Sequence, residues 1–495
     1  MISSLAPGSE VGRFARALLA ARRVEQAGRA AVTEVQRERL RGVLEAAQRT
    51  PLYGGRIPRS AITSARIDDI TPVGKSEFLE RLDETFPDGG LARRDLHAFI
   101  RDPRRVGELL SGRYLVAMTS GTTGQVGIFV NDLESWSTTR AITFARIFRD
   151  RLGPLDFVRF LAHRRYRMSF VVASGGHYMT YLLASRVPPL GRLVTDARVH
   201  SVELPVPVLV DELNAQRPHL LHTYPTILEL LCLEIRTGRL RIDPDVITAG
   251  SEPLTASCRA AVAEAFPRAQ LVETYAATEC VPLATACRYG HLHVNEDACI
   301  LEPIDADGAP VPSGTLGEKL WVTNLLNTVQ PLVRYTLTDQ VRLLDEPCPC
   351  GAPFRRIEVH GRTDDTFFLA SEDGSFQAHP PIPLELVFLR IPGLLQYQLV
   401  HEAQNQLRVL FVAEPGVPGQ QVAGVLDAQL SRYLADHGLF ESVSYSLEEI
   451  DRIERHAESK KVRQILSRVP RPTSPAKSAH ALRERRRVPR IKEPS

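Results

Sequence analysis

The sequence predicts an α/β fold with two domains, and three observations support this. Between about residues 113 and 345, short β-rich runs alternate with helical runs, as expected for βαβ units and a largely parallel sheet. The chain has 495 residues, which exceeds the size at which one hydrophobic core stops growing. Beyond residue 361, further strand patterns and a helical pattern are enough for a small α+β domain.

Each element follows from its own pattern. Residues 10–50 carry apolar side chains at helical spacing, so we expect amphipathic helices there, ended by the Pro- and Gly-containing segment at residues 49–55. Strands are expected at residues 157–161, 220–224, 396–400, 407–412 and 442–447, and helices at residues 226–237, 256–266 and 422–434.

These elements divide the chain into a large N-terminal domain at residues 1–360 and a small C-terminal domain at residues 361–469. The G-R-T-D-D segment at residues 361–365 follows a predicted strand and suits a hinge. Residues 470–495 are a predicted disordered basic tail, because eight Lys/Arg, two Glu and four Pro leave few apolar residues between 471 and 495. Nucleic acid or an anionic membrane could bind such a tail, but we expect a solvated end and no nucleic-acid partner.

Composition places the chain among ordinary globular proteins, with 43% hydrophobic and 24% charged residues. The N-terminus shows no basic segment followed by an apolar stretch, and no run approaches 18 apolar residues. We therefore expect no signal peptide and no membrane span, and a cytoplasmic location. Seven cysteines in a chain of this length do not suggest a disulfide framework, so closely spaced ones indicate a metal site.

A hydroxyl-rich loop is the most informative local feature. Residues 119–124 read T-S-G-T-T-G directly after the apolar run at residues 114–118. The glycines let backbone N–H groups approach a phosphate chain, and the hydroxyls add donors. The Walker P-loop is excluded, because Gln125 and Val126 follow the second glycine where that motif requires Lys and then Ser or Thr. The alternative is a polar surface loop between two strands.

Four later segments carry side chains suited to a nucleotide. They read T-A-G-S-E-P at residues 248–253, Y-A-A-T-E at 275–279, R-Y-T-L-T-D at 334–339 and G-R-T-D-D at 361–365. Tyr275 offers a ring for stacking on a base, and Thr278 offers a hydroxyl for a phosphate. Glu279 supplies a hard oxygen ligand suited to Mg²⁺, and Asp339 can accept hydrogen bonds from ribose hydroxyls. Taken singly, each segment is more often a turn or a helix cap.

In this order and at these separations, the segments resemble the adenylate-forming enzyme superfamily, and within it the phenylacetate–CoA ligase group. Four more segments are similar to that group: R-T-P-L-Y-G-G at residues 49–55, I-T-P-V-G-K at 70–75, G-H-L-H-V-N-E-D at 290–297 and C-P-C-G at 348–351. The resemblance covers about residues 40–465. It implies a large domain with stacked sheets, a mobile C-terminal domain, and an enzyme that activates a carboxylic acid with ATP and Mg²⁺.

The resemblance also implies a role for each matching residue. The residues that would wrap the ATP phosphates are Thr119, Ser120, Gly121, Thr122, Thr123 and Gly124. The residues that would line the adenine are Gly250, Ser251 and Glu252, with Tyr275 flanking the base. Thr278 would contact the α-phosphate, Glu279 would bind Mg²⁺, and Asp339 would hold the ribose.

Two further catalytic residues follow from the same resemblance. Arg362 would act at the hinge, and Lys461 would be the catalytic lysine. Lys460 stands where the family has glycine, so either lysine can take this role. The predicted function is acyl-adenylate formation followed by transfer to a thiol, with CoA as the acceptor. A homodimer is compatible with it.

Departures from the family pattern keep other acceptors open. The R-G-containing loop that usually follows G-R-T-D-D is replaced at residues 366–374, and that loop contributes to the second half-reaction. An amine or a carrier-protein thiol is therefore an alternative acceptor, as in natural-product or polysaccharide assembly. A non-catalytic AMP-binding relative is a further alternative, although Glu279, Asp339 and a C-terminal lysine are all present.

A metal site independent of the nucleotide site is predicted from Cys287, His293, Cys348 and Cys350. Two short-spaced pairs of soft ligands suit a structural Cys₃His zinc site, and related ligases also carry a C-P-C-G segment with an upstream Cys and His. His291 is the alternative ligand and Cys280 a weaker one. Isolated buried cysteines would be the structural alternative.

An acyl pocket is expected where the family builds it, at residues 175–178 and at Tyr224 and Pro225. Aromatic and small residues together suit an aryl or short acyl acid. His177 either contacts the substrate carboxylate or is a loop histidine without a role.

Overall fold

The computed structural model describes residues 9–119, 126–151, 165–174, 176–186, 194–202, 204–362, 367–371, 376–379, 388, 391–454, 462, 464–469 and 477–478. The chain divides into two compact units, the first built chiefly from residues 1–359 and the second from residues after 360. No helix in the described ranges combines the length and the apolarity needed to cross a membrane.

The first unit begins with helices. They are α1 (Glu10–Ala27), α2 (Arg29–Gln48), α3 (Arg59–Ser64), α4 (Lys75–Glu80) and α5 (Arg93–Arg101). Ser9 caps α1, because its Oγ accepts a hydrogen bond from the Gly12 N–H at 3.0 Å. Gly28 has a φ of 87°, which separates α1 from α2. The amphipathic helices predicted at residues 10–50 are confirmed.

An antiparallel hairpin and then an alternating run of strands and helices follow. The hairpin is β1 (Tyr114–Met118) and β2 (Ile128–Asp132), and α6 (Leu133–Ile147) comes after it. The alternating run is β3 (Tyr166–Val172), α7 (Met179–Ser185), β4 (Thr195–Ser201), α8 (Val206–Gln216), β5 (Leu220–Thr223), α9 (Pro225–Arg236), β6 (Val246–Gly250), α10 (Ala256–Ala265) and β7 (Gln270–Ala277). The predicted strand at 220–224 and the helices at 226–237 and 256–266 match β5, α9 and α10. The strand predicted at 157–161 lies outside the described residues.

Strands β3 to β7 are parallel and form the core of a nine-stranded sheet. Its order is β13-β14-β9-β8-β7-β6-β5-β3-β4, where β8 (Cys280–Ala286), β9 (Leu292–Val294), β13 (Asp339–Leu344) and β14 (Arg356–Arg362) complete it. Strands β10 (Cys299–Ile304), β11 (Lys319–Asn324) and β12 (Tyr335–Leu337) form a separate antiparallel sheet. The carboxyl ends of β3, β5, β6 and β7 therefore meet at one edge, where open α/β sheets bind ligands.

The central parallel strands β5 and β6 are buried on both faces. One face packs Leu220, Val246 and Val272 against Phe148. The other face packs residues such as Ile247 into the core beneath α9 and α10. Burial on both sides explains why these strands read as continuous apolar runs in the sequence.

A buried ion network fastens the N-terminal helices to the rest of the first unit. Arg146 donates to Glu25 Oε2 at 2.9 Å and to Asp297 Oδ2 at 2.8 Å, and the side chains of Arg146 and Asp297 are fully buried. Arg355 and Arg29 both pair with the buried carboxylate of Glu296. Glu296 and Asp297 end the G-H-L-H-V-N-E-D segment, so part of that segment has a structural role.

The second unit is a small α+β domain, as predicted. Its elements are β15 (Phe367–Ala370), β16 (Phe376–His379), β17 (Leu394–Ala403), β18 (Gln406–Ala413), α11 (Gly419–Asp436), β19 (Ser444–Glu449), β20 (Ile465–Ser467) and β21 (Lys477–Ser478). Its larger sheet has the order β19-β18-β17-β20, and α11 buries Val422, Leu426 and Leu430 in the core of this unit. The two residues of β21 pair with β16. The rest of the predicted basic tail lies outside the described residues.

Candidate nucleotide site and metal centre

Two hydrogen bonds close the neck of the hydroxyl-rich loop. The N–H of Thr119 donates to the Gly127 carbonyl at 2.9 Å, and Thr119 Oγ1 accepts from the Gly127 N–H at 2.7 Å. A Cβ at Gly127 would lie 2.8 Å from the Phe129 ring, so glycine is needed there. The loop therefore leaves and rejoins a fixed hairpin. Ser120, Gly121, Thr122, Thr123 and Gly124 lie outside the described residues.

The segment predicted to line the adenine forms the turn after β6. Gly250 ends β6 against β7, where an added Cβ would lie 2.4 Å from Thr274 Oγ1 and 2.8 Å from the Thr274 carbonyl oxygen. Ser251 has a φ of 70°, an uncommon conformation for a residue other than glycine. Glu252 Oε2 accepts from the N–H and the hydroxyl of Thr226 at 3.1 and 2.8 Å, which fixes the turn to the start of α9.

The segment predicted to hold the base and Mg²⁺ ends β7 at the same edge of the sheet. Tyr275 lies in β7, and Thr278 and Glu279 form the two-residue turn between β7 and β8. Asn324 Nδ2 donates to the Glu279 carbonyl at 3.1 Å, which ties this turn to β11. The sheet thus brings Gly250, Ser251 and the Tyr275–Glu279 segment together on neighbouring strands.

Two further predicted site residues lie on other strands. Asp339 is the first residue of β13, and Arg362 is the last residue of β14. Lys461 and Lys460 lie outside the described residues. Their roles therefore stay predictions.

The predicted acyl-pocket segment lies beside the loop neck. The N–H of Met118, at the end of β1, donates to the His177 carbonyl at 2.8 Å. The His177 side chain is buried, its ring centroid lies 5.0 Å from that of Phe99, and burial lowers its pKa. Tyr224, just after β5, is buried and its hydroxyl accepts from the Ala173 N–H at 3.0 Å. Gly175 lies outside the described residues.

The structure brings together the four predicted metal ligands. One ligand atom from each of Cys287, His293, Cys348 and Cys350 lies within 4.8 Å of all the others. Cys287 Sγ and Cys348 Sγ are 3.8 Å apart, and Cys350 Sγ lies 3.3 Å from His293 Nε2. Zn–S bonds of about 2.3 Å in a tetrahedron place two sulfurs about 3.8 Å apart, so the spacing fits zinc.

Two tight turns and the β8–β9 hairpin position these ligands. The Gly290 N–H donates to the Cys287 carbonyl at 2.8 Å, and the Gly351 N–H donates to the Cys348 carbonyl at 3.0 Å. Both glycines have a positive φ, of 77° and 76°. His293 lies at the centre of β9, opposite Arg356 of β14. The C-P-C-G segment thus folds back on the hairpin.

Burial and hydrogen bonding determine the protonation of the cluster residues. His293 Nδ1 lies 3.1 Å from the Phe354 carbonyl, which fixes the proton on Nδ1 and leaves Nε2 as the ligand atom. Burial lowers the pKa of His293 to about 4, so the ring is neutral at pH 7. Burial raises the pKa of Cys350 to about 12, because without a cation the thiolate charge has no compensation. His291 Nδ1 contacts Cys348 Sγ at 3.2 Å and is not one of the four clustered ligands.

The sequence did not identify the residues that support the candidate site residues through hydrogen bonds. Thr226 and Asn324 act through long-range contacts, with Glu252 and the Glu279 carbonyl, which local spacing does not reveal. Phe354 acts through its carbonyl group, which every residue has. Of these three residues, only Thr226 could have been suspected from the sequence, because it directly follows the predicted pocket residues Tyr224 and Pro225.

Solved structures share this fold. No protein-family model and no curated protein matches the sequence. A structure of 2-hydroxyisobutyryl-CoA ligase in the postadenylation state, in complex with R3-HIB-AMP, matches with a TM-score of 0.63 and 18% identity over 90% of this chain and 91% of its own. The same ligase in complex with 2-HIB-AMP and CoA in the thioesterification state matches with a TM-score of 0.53 and 18% identity, over 90% and 91%. The resemblance to adenylate-forming enzymes is therefore confirmed at the level of the fold.

Proposed function

We propose that the protein is an ATP- and Mg²⁺-dependent ligase that activates a carboxylic acid as an acyl-adenylate and transfers it to a thiol. One observation carries the proposal. The chain shares its fold, over 90% of its length, with a ligase solved with an acyl-AMP, and two of its candidate segments, at residues 250–252 and 275–279, follow neighbouring parallel strands. Such edges bind nucleotides in many α/β enzymes.

The proposed nucleotide contacts come from four segments of the first unit. The loop at residues 119–124 is proposed to donate N–H and hydroxyl groups to the phosphates. Thr119 and Gly127, at the neck of this loop, are joined by hydrogen bonds. Adenine lies against the Gly250–Glu252 turn, flanked by Tyr275. Thr278 contacts the α-phosphate, and Asp339 accepts hydrogen bonds from the ribose.

Charge neutralisation is the main catalytic task. The substrate carboxylate attacks the α-phosphorus of ATP, the bond to the bridging oxygen breaks, and pyrophosphate leaves. Glu279 fits Mg²⁺, because it places a carboxylate, a hard oxygen donor, in the turn at the sheet edge. Mg²⁺, when bound, neutralises charge on the phosphates. Lys461 is the proposed second cation, and Arg362 the proposed residue at the hinge of a mobile C-terminal domain.

The acceptor is proposed to be CoA. The fold is shared with a ligase solved with CoA, which favours this thiol. The sequence that replaces the usual hinge loop at residues 366–374 favours the alternative, a carrier-protein thiol or an amine. The substrate acid is proposed to be an aryl or short acyl acid.

A structural zinc ion is also proposed. With three sulfurs and one imidazole around one point, all four positions of a tetrahedral site are filled by protein. Such a site leaves no position for a substrate, so its role is to link the β8–β9 hairpin to the C-P-C-G turn.

Pyrophosphate release is the measurement that tests the function. The zinc-loaded protein is incubated with ATP, Mg²⁺ and a panel of aryl, short-chain and amino acids, with and without CoA. We expect acid-dependent release, and an acyl-CoA product when CoA is present. Release without a thioester would assign an amine or carrier acceptor. No release with any acid, from folded protein, would overturn the ligase and favour the non-catalytic alternative.

A further inference from the structure

A polar pair interrupts the apolar face of the parallel sheet. His222 of β5 and Thr248 of β6 are register partners, and His222 Nδ1 lies 2.8 Å from Thr248 Oγ1. Two residues earlier on the same face, Leu220 and Val246 belong to the apolar layer under α6. The change from apolar to polar therefore occurs in the direction of the carboxyl edge of the sheet.

The pair lies close to the carboxyl edge of the sheet. Thr248 lies two residues before Gly250, which is about 7 Å along a strand. Its row across the sheet is completed by Phe170 of β3 and Val272 of β7. The Phe170 ring centroid lies 5.9 Å from that of His222. The polar pair thus lies between two apolar side chains, two residues before the end of β6, where the proposed nucleotide site begins.

The second ring nitrogen of His222 is left for another group. His222 Nε2 is buried and has no hydrogen-bond partner within the described part of the chain. Leaving such an atom unpaired costs about 1–3 kcal/mol, so it calls for an explanation. Burial alone lowers the pKa of His222 to about 4, and no charged side chain contributes. The ring is therefore neutral at pH 7.

A hydroxyl group matches this nitrogen better than other groups do. The Thr248 hydroxyl can donate to Nδ1 or accept from it, so Nε2 is either a donor or an acceptor. A carbonyl satisfies Nε2 only when it carries the proton. A hydroxyl satisfies both tautomers, and its neutral charge suits surroundings without counter-charges.

We propose that His222, held by Thr248, is a specificity-determining residue that recognises a neutral hydroxyl group on the acyl part of the substrate acid. The proposal rests on the ligase function proposed above and narrows its substrate class to hydroxy acids. Phe170 and Val272 then contact the hydrocarbon on either side of that hydroxyl. A site built to bond a hydroxyl rejects the analogue that lacks it, because its own polar atom is left unpaired.

The test compares acids that differ by one hydroxyl. ATP–pyrophosphate exchange gives kcat/KM for isobutyrate against 2- and 3-hydroxyisobutyrate, and for benzoate against its three hydroxybenzoates. We expect the wild type to prefer a hydroxy acid at least about tenfold over its deoxy partner. His222→Phe, which keeps a planar ring, should reduce that preference to less than about twofold by lowering kcat/KM for the hydroxy acid alone.

A matched control lies at the other end of the same strand. His219, just before β5, accepts from the Arg167 N–H at 3.0 Å, far from the carboxyl edge. His219→Gln should keep the wild-type preference. Thr248→Val retains His222 but removes its partner, so it should weaken the preference even if His222→Phe does not fold.

The outcomes separate the two proposals. A wild type that adenylates hydroxy and deoxy acids equally, or a His222→Phe enzyme with the wild-type preference, would overturn the role of His222 and leave the ligase intact. A wild type that adenylates no acid would overturn the ligase and this inference with it. Calorimetry with paired acyl-sulfamoyl-adenosine analogues gives the same comparison as binding, and equal Kd values within a pair would also contradict the role of His222.

Discussion

Glu279 is the residue on which the proposed adenylation depends most directly. Its turn is fixed at the sheet edge by the hydrogen bond from Asn324 to its carbonyl. We expect Glu279→Gln to lower pyrophosphate exchange by about 100-fold or more, because the neutral amide binds Mg²⁺ poorly and the phosphate charge is left uncompensated. Raising the Mg²⁺ concentration should restore part of the rate.

Glu273 supplies the matched control for this prediction. Glu273 lies on β7, the strand that leads into the Glu279 turn, and its carboxylate pairs with Arg259. Glu273→Gln should retain exchange within about threefold of the wild type, since the change is remote from the phosphates. Equal rates and equal Mg²⁺ dependence in the two variants would contradict the role given to Glu279.

The two histidines of the metal hairpin should respond differently to the same substitution. His293 Nε2 points to the cluster, whereas His291 contacts one sulfur from outside it. We expect His293→Gln to lose zinc and to unfold at a lower temperature, and His291→Gln to retain about one zinc per chain with a lower affinity. Metal analysis of dialysed protein decides this. Zinc retained by His293→Gln and lost by His291→Gln would exchange their roles.

At the scale of strands and helices, we expect the buried ion network of Arg146 to contribute strongly to the free energy of unfolding. Asp297→Ala leaves Arg146 buried with one partner fewer, so we expect the free energy of unfolding to fall by about 3–5 kcal/mol. Asp243→Ala removes the same side chain from an exposed pair with Arg268 and should cost about 0–1 kcal/mol. Urea titrations followed by far-UV circular dichroism measure both. Equal losses would show that burial does not decide the cost.

The elements that the sequence predicts well are those with a strong local pattern. The helix predicted at 256–266 is observed at Ala256–Ala265, because apolar spacing and the Thr255 cap act within one segment. The contact between Glu252, in the turn after β6, and Thr226, at the start of α9, could not be predicted, since it depends on how β5 and β6 pair. His222 shows the same limit: its partner lies 26 positions away, so no local motif reveals it.

At the scale of the whole molecule, sequence order and sheet order together explain the site. The segments at residues 250–252 and 275–279 are far apart in the sequence, yet the parallel crossover returns the ends of β6 and β7 to the same edge. β8 runs antiparallel to β7 and away from the Glu279 turn, so Cys287 and the metal cluster lie at the opposite end of that strand. The β7–β8 hairpin thus carries a nucleotide segment at its turn and the first metal ligand at its other end.

The basic C-terminus should be dispensable for adenylation. Residues 479–495 contain six Lys/Arg and two Glu, so deleting them changes the formal net charge from +3 to −1. The deletion spares β20 and β21, and it removes no residue of the proposed site. We expect kcat/KM in pyrophosphate exchange to stay within about twofold of the wild type, because distant surface charge is screened at physiological ionic strength. Retention on a heparin column should fall. Loss of exchange in the folded truncation would place the tail in the catalytic cycle and contradict its assignment as a solvated end.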